Sequence, residues 1–214
     1  MELRTSTEAM IAAAEELAGA IRRRLDLDRR CSLALSGGSS PGPVFERLAA
    51  VDLDWDRVDV FQVDERLAPD GDPARNLTGQ RSSFLDLVPA RAVPLPVTAP
   101  APVAAAASYA AALPDALDVV HLGLGDDGHT ASLVPDDAVL DVVASTVAVT
   151  DEYRGHRRMT LTYPALHRAG RIVWFATGES KRPMLRRLLA DDPTIPAGRV
   201  ASDRAVLVTD VSLD

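Results

Sequence analysis

The stretch Val119-Val-His-Leu-Gly-Leu-Gly-Asp-Asp-Gly-His-Thr-Ala-Ser-Leu-Val-Pro135 joins a short apolar run to a loop rich in glycine and polar residues. The apolar run, 119–122, predicts a buried strand, and the glycines predict that the strand ends there. Open α/β sheets bind ligands outside the carboxyl ends of their strands, so we expect a functional site in this loop. Gly128 lets the chain turn sharply and direct Asp127 and His129 into one cleft. A lone Asp-Gly-His tripeptide is more often a tight turn with a surface histidine, but the full stretch is more specific.

Strand and helix patterns alternate along the rest of the chain. Thr5 and Glu8 have the spacing of a capping box at the start of a first helix. The prolines between residues 89 and 102 predict a rigid extended connection. The alternation predicts an α/β fold, in one domain over residues 1–214, with a mostly parallel sheet covered by helices on both faces. Strands are predicted at 32–35, 58–63, 119–122, 143–149, 159–161, 172–177 and 206–209, and helices at 10–24, 43–50, 76–84, 104–113, 163–168 and from the end of the 178–181 segment to 189.

The composition argues against several classes of function. The net charge of −8 disfavours nucleic acid or an anionic membrane as a partner. Cys31 is the single cysteine, so neither a disulfide framework nor a Cys/His metal site is expected. The sequence has no apolar run long enough to span a membrane and no signal-peptide pattern, and we therefore expect a cytoplasmic protein.

A glycine-rich turn, Ser36-Gly-Gly-Ser39, follows the predicted strand 32–35 and precedes a predicted helix. Consecutive glycines let backbone N–H groups approach an anion, and the helix N-terminus adds its dipole. The spacing is neither that of a Walker motif nor that of GxGxxG, which favours a phosphate over a nucleotide. Taken alone, an ordinary glycine turn explains these residues equally well.

A second polar cluster, Asp64-Glu-Arg66, ends the predicted strand 58–63. Charged side chains at the end of a buried strand are costly unless they pair or bind a ligand. A surface ion pair is an equally good interpretation of these residues alone.

The third cluster consists of cations. Lys181 is the single lysine of a chain with 22 arginines, and a compact ammonium group suits a phosphate monoester. The alternative is chance survival of one lysine on a helix face. Arg158 is a second candidate cation, although Arg154 and Arg157 are close enough to compete. The remaining histidines stand in contexts that indicate structural roles: His121, His156 and His167.

These motifs together resemble the 6-phosphogluconolactonase family. The resemblance implies a Rossmann-like layered α/β/α fold, similar to glucosamine-6-phosphate deaminase and ribose-5-phosphate isomerase, without a dinucleotide. It covers nearly the whole chain and depends on Leu35-Ser-Gly-Gly-Ser-Ser-Pro41, Val63-Asp-Glu-Arg66, Asn76, Gly123 to Leu133, Arg158-Met-Thr-Leu-Thr162 and Gly178-Glu-Ser-Lys181.

The resemblance implies hydrolysis of 6-phospho-D-glucono-1,5-lactone to 6-phospho-D-gluconate in the oxidative pentose phosphate pathway. It implies no metal or organic cofactor and a small sugar-phosphate lactone as the partner, with a monomer or weak homodimer as the expected assembly. His129 is the implied general base, and Asp127 either orients the imidazole or contacts sugar hydroxyls. Arg66 stabilises the oxyanion or holds the phosphate. Residues implied to bind the substrate or its phosphate are Gly37, Gly38, Ser39, Asp64, Asn76, Arg158 and Lys181.

The chain departs from the family pattern in three places, one of which is residues 205–214, a segment that matches the family poorly. The loop after Arg66 has Asp72 where the family commonly has a histidine, and Arg75 where it has the serine before Asn76. Val134 replaces the usual phenylalanine.

Two other functions stay open at this point. The related deaminase places a glutamate five residues after the histidine, and here that position is Val134, which accepts no hydrogen bond. The second is a sugar-phosphate-sensing module, such as the effector domain of a transcriptional regulator. A basic DNA-binding segment is expected beside such a module, and none is found among these 214 residues.

Overall fold

A parallel sheet forms the centre of the fold. The computed structural model describes residues 1–38, 40–201 and 203–213. Within these residues the sheet consists of β1 (Glu2–Thr5), β2 (Cys31–Leu35), β3 (Val58–Gln62), β5 (Arg91–Val93), β6 (Val119–Leu122), β9 (Arg171–Phe175) and β10 (Ala205–Thr209). The strand order is β1-β10-β9-β6-β2-β3-β5, and these strands pair in parallel.

A small antiparallel sheet and the helices surround the parallel sheet. The small sheet contains β4 (Asp64–Arg66), β7 (Val147–Val149) and β8 (Arg158–Leu161), in the order β4-β8-β7. The α-helices are α1 (Ala9–Leu25), α2 (Gly42–Ala49), α3 (Asn76–Gln80), α4 (Pro102–Ala112), α5 (Tyr163–Leu166) and α6 (Arg182–Leu189). After α3 the chain continues as a π-helix over Arg81–Leu85.

Apolar side chains cover both faces of the parallel sheet. On one face, Leu33 and Leu35 of β2 join a buried cluster with residues of α1 and α2. On the other face, Ala34 joins a second cluster with residues of α4, α5, α6 and the small sheet. Strands buried on both faces have continuous apolar runs, which is why the sequence predicts them well. The predicted α/β fold with a mostly parallel sheet is confirmed.

The N-terminal capping box is wrong. Thr5 is the last residue of β1 and pairs with Thr209 of β10, so it is not available to cap α1. Glu8 is the residue before α1, and no side chain caps the helix there. The backbone N–H of Glu8 donates a hydrogen bond to Ser6 Oγ at 3.1 Å. Because β1 pairs with β10, β10 lies inside the sheet, between β1 and β9.

Three further segments differ from the sequence expectations. The proline-rich segment contains a strand, β5, which pairs with β3 at the edge of the sheet. The predicted strand 143–149 is limited to β7, and residues 143–146 lie outside it. Asp64, Glu65 and Arg66 form β4, which leaves the parallel sheet and pairs with β8.

Candidate active site

The loops that follow β2, β6 and β9 meet around a cavity of about 290 Å³. A site outside the carboxyl ends of the strands is what the open α/β sheet leads us to expect. Asp127 contacts His129 but is not in the cavity wall, and Ser39 lies outside the described residues. The other predicted site residues come together in the wall: Gly37, Gly38, Asp64, Arg66, Asn76, His129, Arg158 and Lys181.

His129 and Asp127 form a hydrogen-bonded pair. The Nδ1 atom of His129 lies 2.5 Å from Asp127 Oδ1, and the His129 backbone N–H donates to the same oxygen at 3.1 Å. Tyr153 Oη donates to the other oxygen, Oδ2, at 2.8 Å. Partial burial acts to raise the pKa of Asp127, but these hydrogen bonds outweigh it and lower that pKa to about 2. Because the carboxylate holds Nδ1, Nε2 is the ring nitrogen left to act on a molecule in the cavity.

Two glycines allow the His129 ring to take this position. A Cβ atom on Gly125 would lie 2.0 Å from Nδ1 of His129, so a larger residue there would displace the ring. Gly128 has φ +83°, a left-handed conformation that L side chains rarely adopt. The sharp turn between Asp127 and His129 is therefore tied to the glycines of this loop.

The buried carboxylate of Glu65 organises the loop that leads to α3. Its oxygens accept hydrogen bonds from the backbone N–H groups of Asn76 at 2.7 Å and Leu77 at 2.8 Å, at the start of the helix. Arg75, also buried, pairs with Glu65 at 3.1 Å and with Asp70 at 2.8 Å. The arginine that departs from the family pattern thus pairs with Glu65 and does not line the cavity around His129.

Asp72, the other departure in this loop, makes a local contact. Its Oδ1 accepts a hydrogen bond from the Ala74 N–H at 2.8 Å, and Asp72 is not in the cavity wall. The Ala74 carbonyl in turn accepts a hydrogen bond from Nη1 of Arg66. The loop therefore helps to set the position of the Arg66 guanidinium.

Asp64 and Asn76 lie together below the glycine turn. The Nδ2 group of Asn76 donates to the Asp64 carbonyl at 2.9 Å and to Asp64 Oδ1 at 3.2 Å. Ser132 Oγ donates to Asp64 Oδ2 at 2.5 Å. Burial raises the pKa of the Asp64 carboxyl above its usual range, and the Ser132 hydrogen bond opposes that shift. A Cβ atom on Gly37 would lie 2.0 Å from the Asn76 side chain, so the glycine gives Asn76 its space.

Lys181 reaches from the turn before α6 to the loop that follows β6. Its Nζ donates to the Leu124 carbonyl at 2.8 Å and pairs with Asp126 at 2.7 Å. The Asp126 side chain is 74% exposed, so this ion pair is largely solvated. Lys181 therefore faces the cavity while held by partners on the same loop as His129.

The cations near β8 divide into buried and exposed groups. Arg158 is buried, and its Nη1 donates to the Tyr153 carbonyl at 2.5 Å and the His156 carbonyl at 3.3 Å. Burial lowers the pKa of the Arg158 guanidinium, while nearby Asp64 opposes this shift. Arg154 is exposed in the cavity wall, 5.0 Å from the Tyr153 ring centre. Arg157 instead donates to the Thr150 carbonyl at 3.2 Å and does not line the cavity.

Sequence reasoning missed Tyr153 and Ser132, which hold the two aspartates of the site. Tyr153 begins a tight turn in which Arg154 and Gly155 both have positive φ, 51° and 79°. A residue-glycine pair of this kind is a recognisable turn signal, and it could have predicted the turn. The contact across 26 residues with Asp127 has no local signal.

The described part of the chain has neither a candidate metal centre nor a candidate membrane-spanning helix. No group of three or more His, Cys, Asp or Glu side chains there is arranged to hold a metal ion. Among the described helices, none combines the length and the apolar character needed to cross a membrane.

Comparisons with known proteins agree with this geometry. A family model described as glucosamine-6-phosphate isomerases/6-phosphogluconolactonase matches residues 4–209. A 6-phosphogluconolactonase of Nostoc sp. is 38% identical over 78% of this chain and 76% of its own length. A crystal structure of a 6-phosphogluconolactonase from Shewanella baltica superposes with a TM-score of 0.86 at 27% identity, covering 97% of this chain and 95% of that one. A monomeric glucosamine-6-phosphate deaminase has a TM-score of 0.82 at 18% identity over 100% of both chains, which shows a shared fold.

Proposed function

Because the chain belongs to the family of glucosamine-6-phosphate isomerases and 6-phosphogluconolactonases, we propose that it hydrolyses 6-phospho-D-glucono-1,5-lactone to 6-phospho-D-gluconate. This reaction is a step of the oxidative pentose phosphate pathway. The observation that carries the proposal is the His129–Asp127 pair at the wall of a cavity that also contains a glycine turn and Lys181. Such a cavity combines an acid/base group with groups suited to a phosphate.

His129 acts as the general base and then as the general acid. Nε2 takes a proton from water as the water oxygen bonds to the lactone C1 carbonyl carbon, giving a tetrahedral intermediate. The imidazolium then gives that proton to the ring oxygen as the bond between C1 and that oxygen breaks. The products are a carboxyl group at C1 and a free hydroxyl, and His129 is neutral again.

Asp127 orients the imidazole of His129. Its two carboxylate oxygens already accept hydrogen bonds from His129 and Tyr153, so it is poorly placed to bind sugar hydroxyls. The low pKa of Asp127 keeps the carboxylate charged at neutral pH, where it stabilises the imidazolium formed during the reaction. Tyr153 supports the same orientation from the other side of the carboxylate.

The cations and the glycine turn hold the 6-phosphate. Arg66 and Arg158 are register partners on the antiparallel strands β4 and β8, and both line the cavity. Like charges placed opposite each other are unfavourable, and a dianion between them removes this repulsion. We therefore assign Arg66 to the phosphate together with Arg158, Lys181 and the backbone of Gly37 and Gly38. Asp64 and Asn76 support this wall from below.

An assay of the purified protein tests the proposal. Freshly prepared 6-phosphogluconolactone is the substrate, and its spontaneous opening is subtracted from the measured rate. We expect an enzymatic rate that saturates with the lactone and survives exhaustive treatment with a chelator, since no cofactor is expected. A rate equal to the spontaneous one would contradict the proposal.

Glucosamine 6-phosphate serves as the second substrate in the same assay. Val134, which stands where the deaminase has a glutamate, is buried and lines the same cavity as His129. A valine side chain makes no hydrogen bond to the imidazole, so we expect no ammonia release. Binding without turnover of either compound would favour a sugar-phosphate-sensing module. A single domain, a cytoplasmic location and a monomer or weak homodimer that binds no nucleic acid or membrane stay predictions.

A further inference from the structure

His121 lies next to the glycine turn, and the proposed mechanism does not use it. It belongs to β6, the neighbour of β2, and its Nδ1 is 2.8 Å from Oγ of Ser36, the residue that follows β2. Both residues are buried, at 1% and 5% exposure, and both line the cavity. The His121 ring packs against Phe45 and Phe175, with ring centres 5.1 and 6.5 Å away.

The surroundings of His121 indicate which ring nitrogen carries the proton. Burial lowers the pKa of His121 to about 3, so the ring is neutral and has a single N–H group. Among the described residues, Nε2 has no hydrogen-bond partner. A proton on Nε2 would be a buried donor without an acceptor, which is rare and costly in folded proteins. A proton on Nδ1 is donated to Ser36 Oγ.

This arrangement determines what the Ser36 hydroxyl does. Its oxygen accepts from His121 and has no other hydrogen-bond partner within the described ranges, so its own hydrogen is available to the cavity. The Ser36 backbone is held separately, because Nε2 of Gln80 donates to the carbonyls of Leu35 at 3.0 Å and Ser36 at 3.4 Å. His121 therefore orients the Ser36 hydroxyl, whereas Gln80 holds the backbone of the turn.

We propose that His121 is a positioning residue of the phosphate site, which holds the Ser36 hydroxyl as a hydrogen-bond donor directed at the bound anion. In naming the anion as a phosphate ester, this inference rests on the proposed function. The bond between His121 and Ser36 is a property of the protein alone and can be tested without substrate.

The protonated nitrogen of His121 is the first readout. In the full-length protein labelled with ¹⁵N, long-range proton–nitrogen correlations distinguish the two tautomers of a neutral histidine. We expect the proton on Nδ1 of His121, and His121→Phe assigns the signal by removing it. A proton on Nε2 would overturn the proposal.

Phosphate affinity is the second readout. Calorimetric titration with inorganic phosphate is compared for the wild type, His121→Phe and His121→Asn. Phenylalanine keeps the aromatic packing without a donor, and we expect it to weaken binding about tenfold, as losing one hydrogen bond to a charged group does. The asparagine amide can replace Nδ1–H, and we expect it to restore most of the affinity. Unchanged affinity in His121→Phe would contradict the proposal.

A double-mutant cycle separates positioning from a general structural effect. In the Ser36→Ala background, His121→Phe should have no further effect on phosphate affinity. Losses of affinity that add up in the double variant would contradict the proposal. With the lactone as substrate, His121→Phe should raise KM about tenfold and change kcat less than about twofold. Phosphate binding with the expected pattern but no lactone turnover would reject the proposed function and keep the role of His121. Turnover of the lactone by His121→Phe with the wild-type KM would support the proposed function and reject the role of His121.

Discussion

At the residue scale, the site depends on side chains whose hydrogen bonds are already made in the protein. The His129 ring has a single orientation because Asp127 holds Nδ1 and Gly125 leaves room for the ring. Asp127 is itself held by Tyr153. A catalytic group whose orientation is set in advance loses little freedom when the substrate binds.

Replacing His129 tests the acid/base role. We expect His129→Ala to lower kcat for the lactone by about 10²- to 10⁴-fold, the usual contribution of a positioned general base, with little change in KM. Steady-state kinetics measure both constants. His167→Ala is the matched control, because His167 is exposed and does not line the cavity, and its ring contacts Tyr163 and the Arg199 carbonyl. A near-normal kcat in His129→Ala would remove this histidine from the mechanism.

Replacing Lys181 tests the recognition of the phosphate. We expect Lys181→Met to raise KM for the phosphorylated lactone by about 10- to 100-fold, as for the loss of a charged hydrogen bond, and to leave the hydrolysis of unphosphorylated gluconolactone nearly unchanged. Arg182→Met is the control, since the adjacent Arg182 pairs with Glu179 outside the cavity. Equal losses on both lactones would show that Lys181 does not bind the phosphate.

At the scale of elements, the loop between β4 and α3 carries its own buried ion pair. Glu65 and Arg75 have almost no exposed side-chain surface, and the Glu65 carboxylate also binds the first N–H groups of α3. A carboxylate at a helix N-terminus satisfies donors that the helix leaves free. The position of Arg66 and Asn76 therefore depends on this pair.

Removing Arg75 should leave a buried charge without its partner. We expect Arg75→Met to lower the free energy of unfolding by about 3–5 kcal/mol, measured by urea denaturation. Asp70 is the exposed partner of the same arginine, with 81% of its side chain accessible. Its replacement, Asp70→Asn, should cost less than about 1 kcal/mol. Similar losses in the free energy of unfolding of both variants would contradict the prediction that the buried pair with Glu65 matters more than the exposed pair with Asp70.

The sequence predicts the interior elements better than the edges. β2, β6 and β9 are buried on both faces, and their apolar runs mark them within one or two residues. β1 and β5 are short edge strands with Glu2, Arg4 and Arg91 among their residues, so backbone pairing holds them and no apolar pattern reveals them.

Some residues of the candidate site could likewise be predicted from the sequence, and others could not. Residues at the ends of strands could be predicted, because parallel strands bring their carboxyl ends together. Tyr153 and Ser132 could not, since their partners Asp127 and Asp64 are distant in sequence and only the folded chain brings them near.

At the scale of the whole molecule, one sheet separates two buried clusters. Trp55 belongs to the cluster under α1 and α2, and Trp174 belongs to the cluster on the opposite face. Both clusters are built on alternate residues of the same strands. Neither cluster can therefore lose its packing without exposing the sheet that supports the other.

The two tryptophans report on whether the chain unfolds as one unit. We expect Trp55→Phe and Trp174→Phe, each with one tryptophan left, to show urea transitions by fluorescence that coincide with the transition by circular dichroism. A transition at the remaining tryptophan that precedes the loss of secondary structure would contradict the prediction of a single domain.

Burial of His121 makes stability depend on pH. The unfolded chain binds a proton at this histidine below about pH 6.5, whereas the folded chain, with a pKa of about 3, does not. Between these values the unfolded state binds more protons, so stability falls as the pH falls, by up to about 1.4 kcal/mol per pH unit from this group. We expect His121→Phe to lose stability less steeply than the wild type between pH 6 and pH 4. An equal dependence of stability on pH in the two proteins would show that His121 does not cause it.

Under the proposed function, the resting contacts of Lys181 have a consequence for how the phosphate is bound. A free lysine side chain samples many rotamers, and fixing it costs conformational entropy when a ligand arrives. Here the Leu124 carbonyl and Asp126 confine the four-carbon stem beforehand, and the largely solvated Asp126 can return to water when an incoming dianion replaces it. The exchange swaps one counter-ion for another around an ammonium group that is already in place.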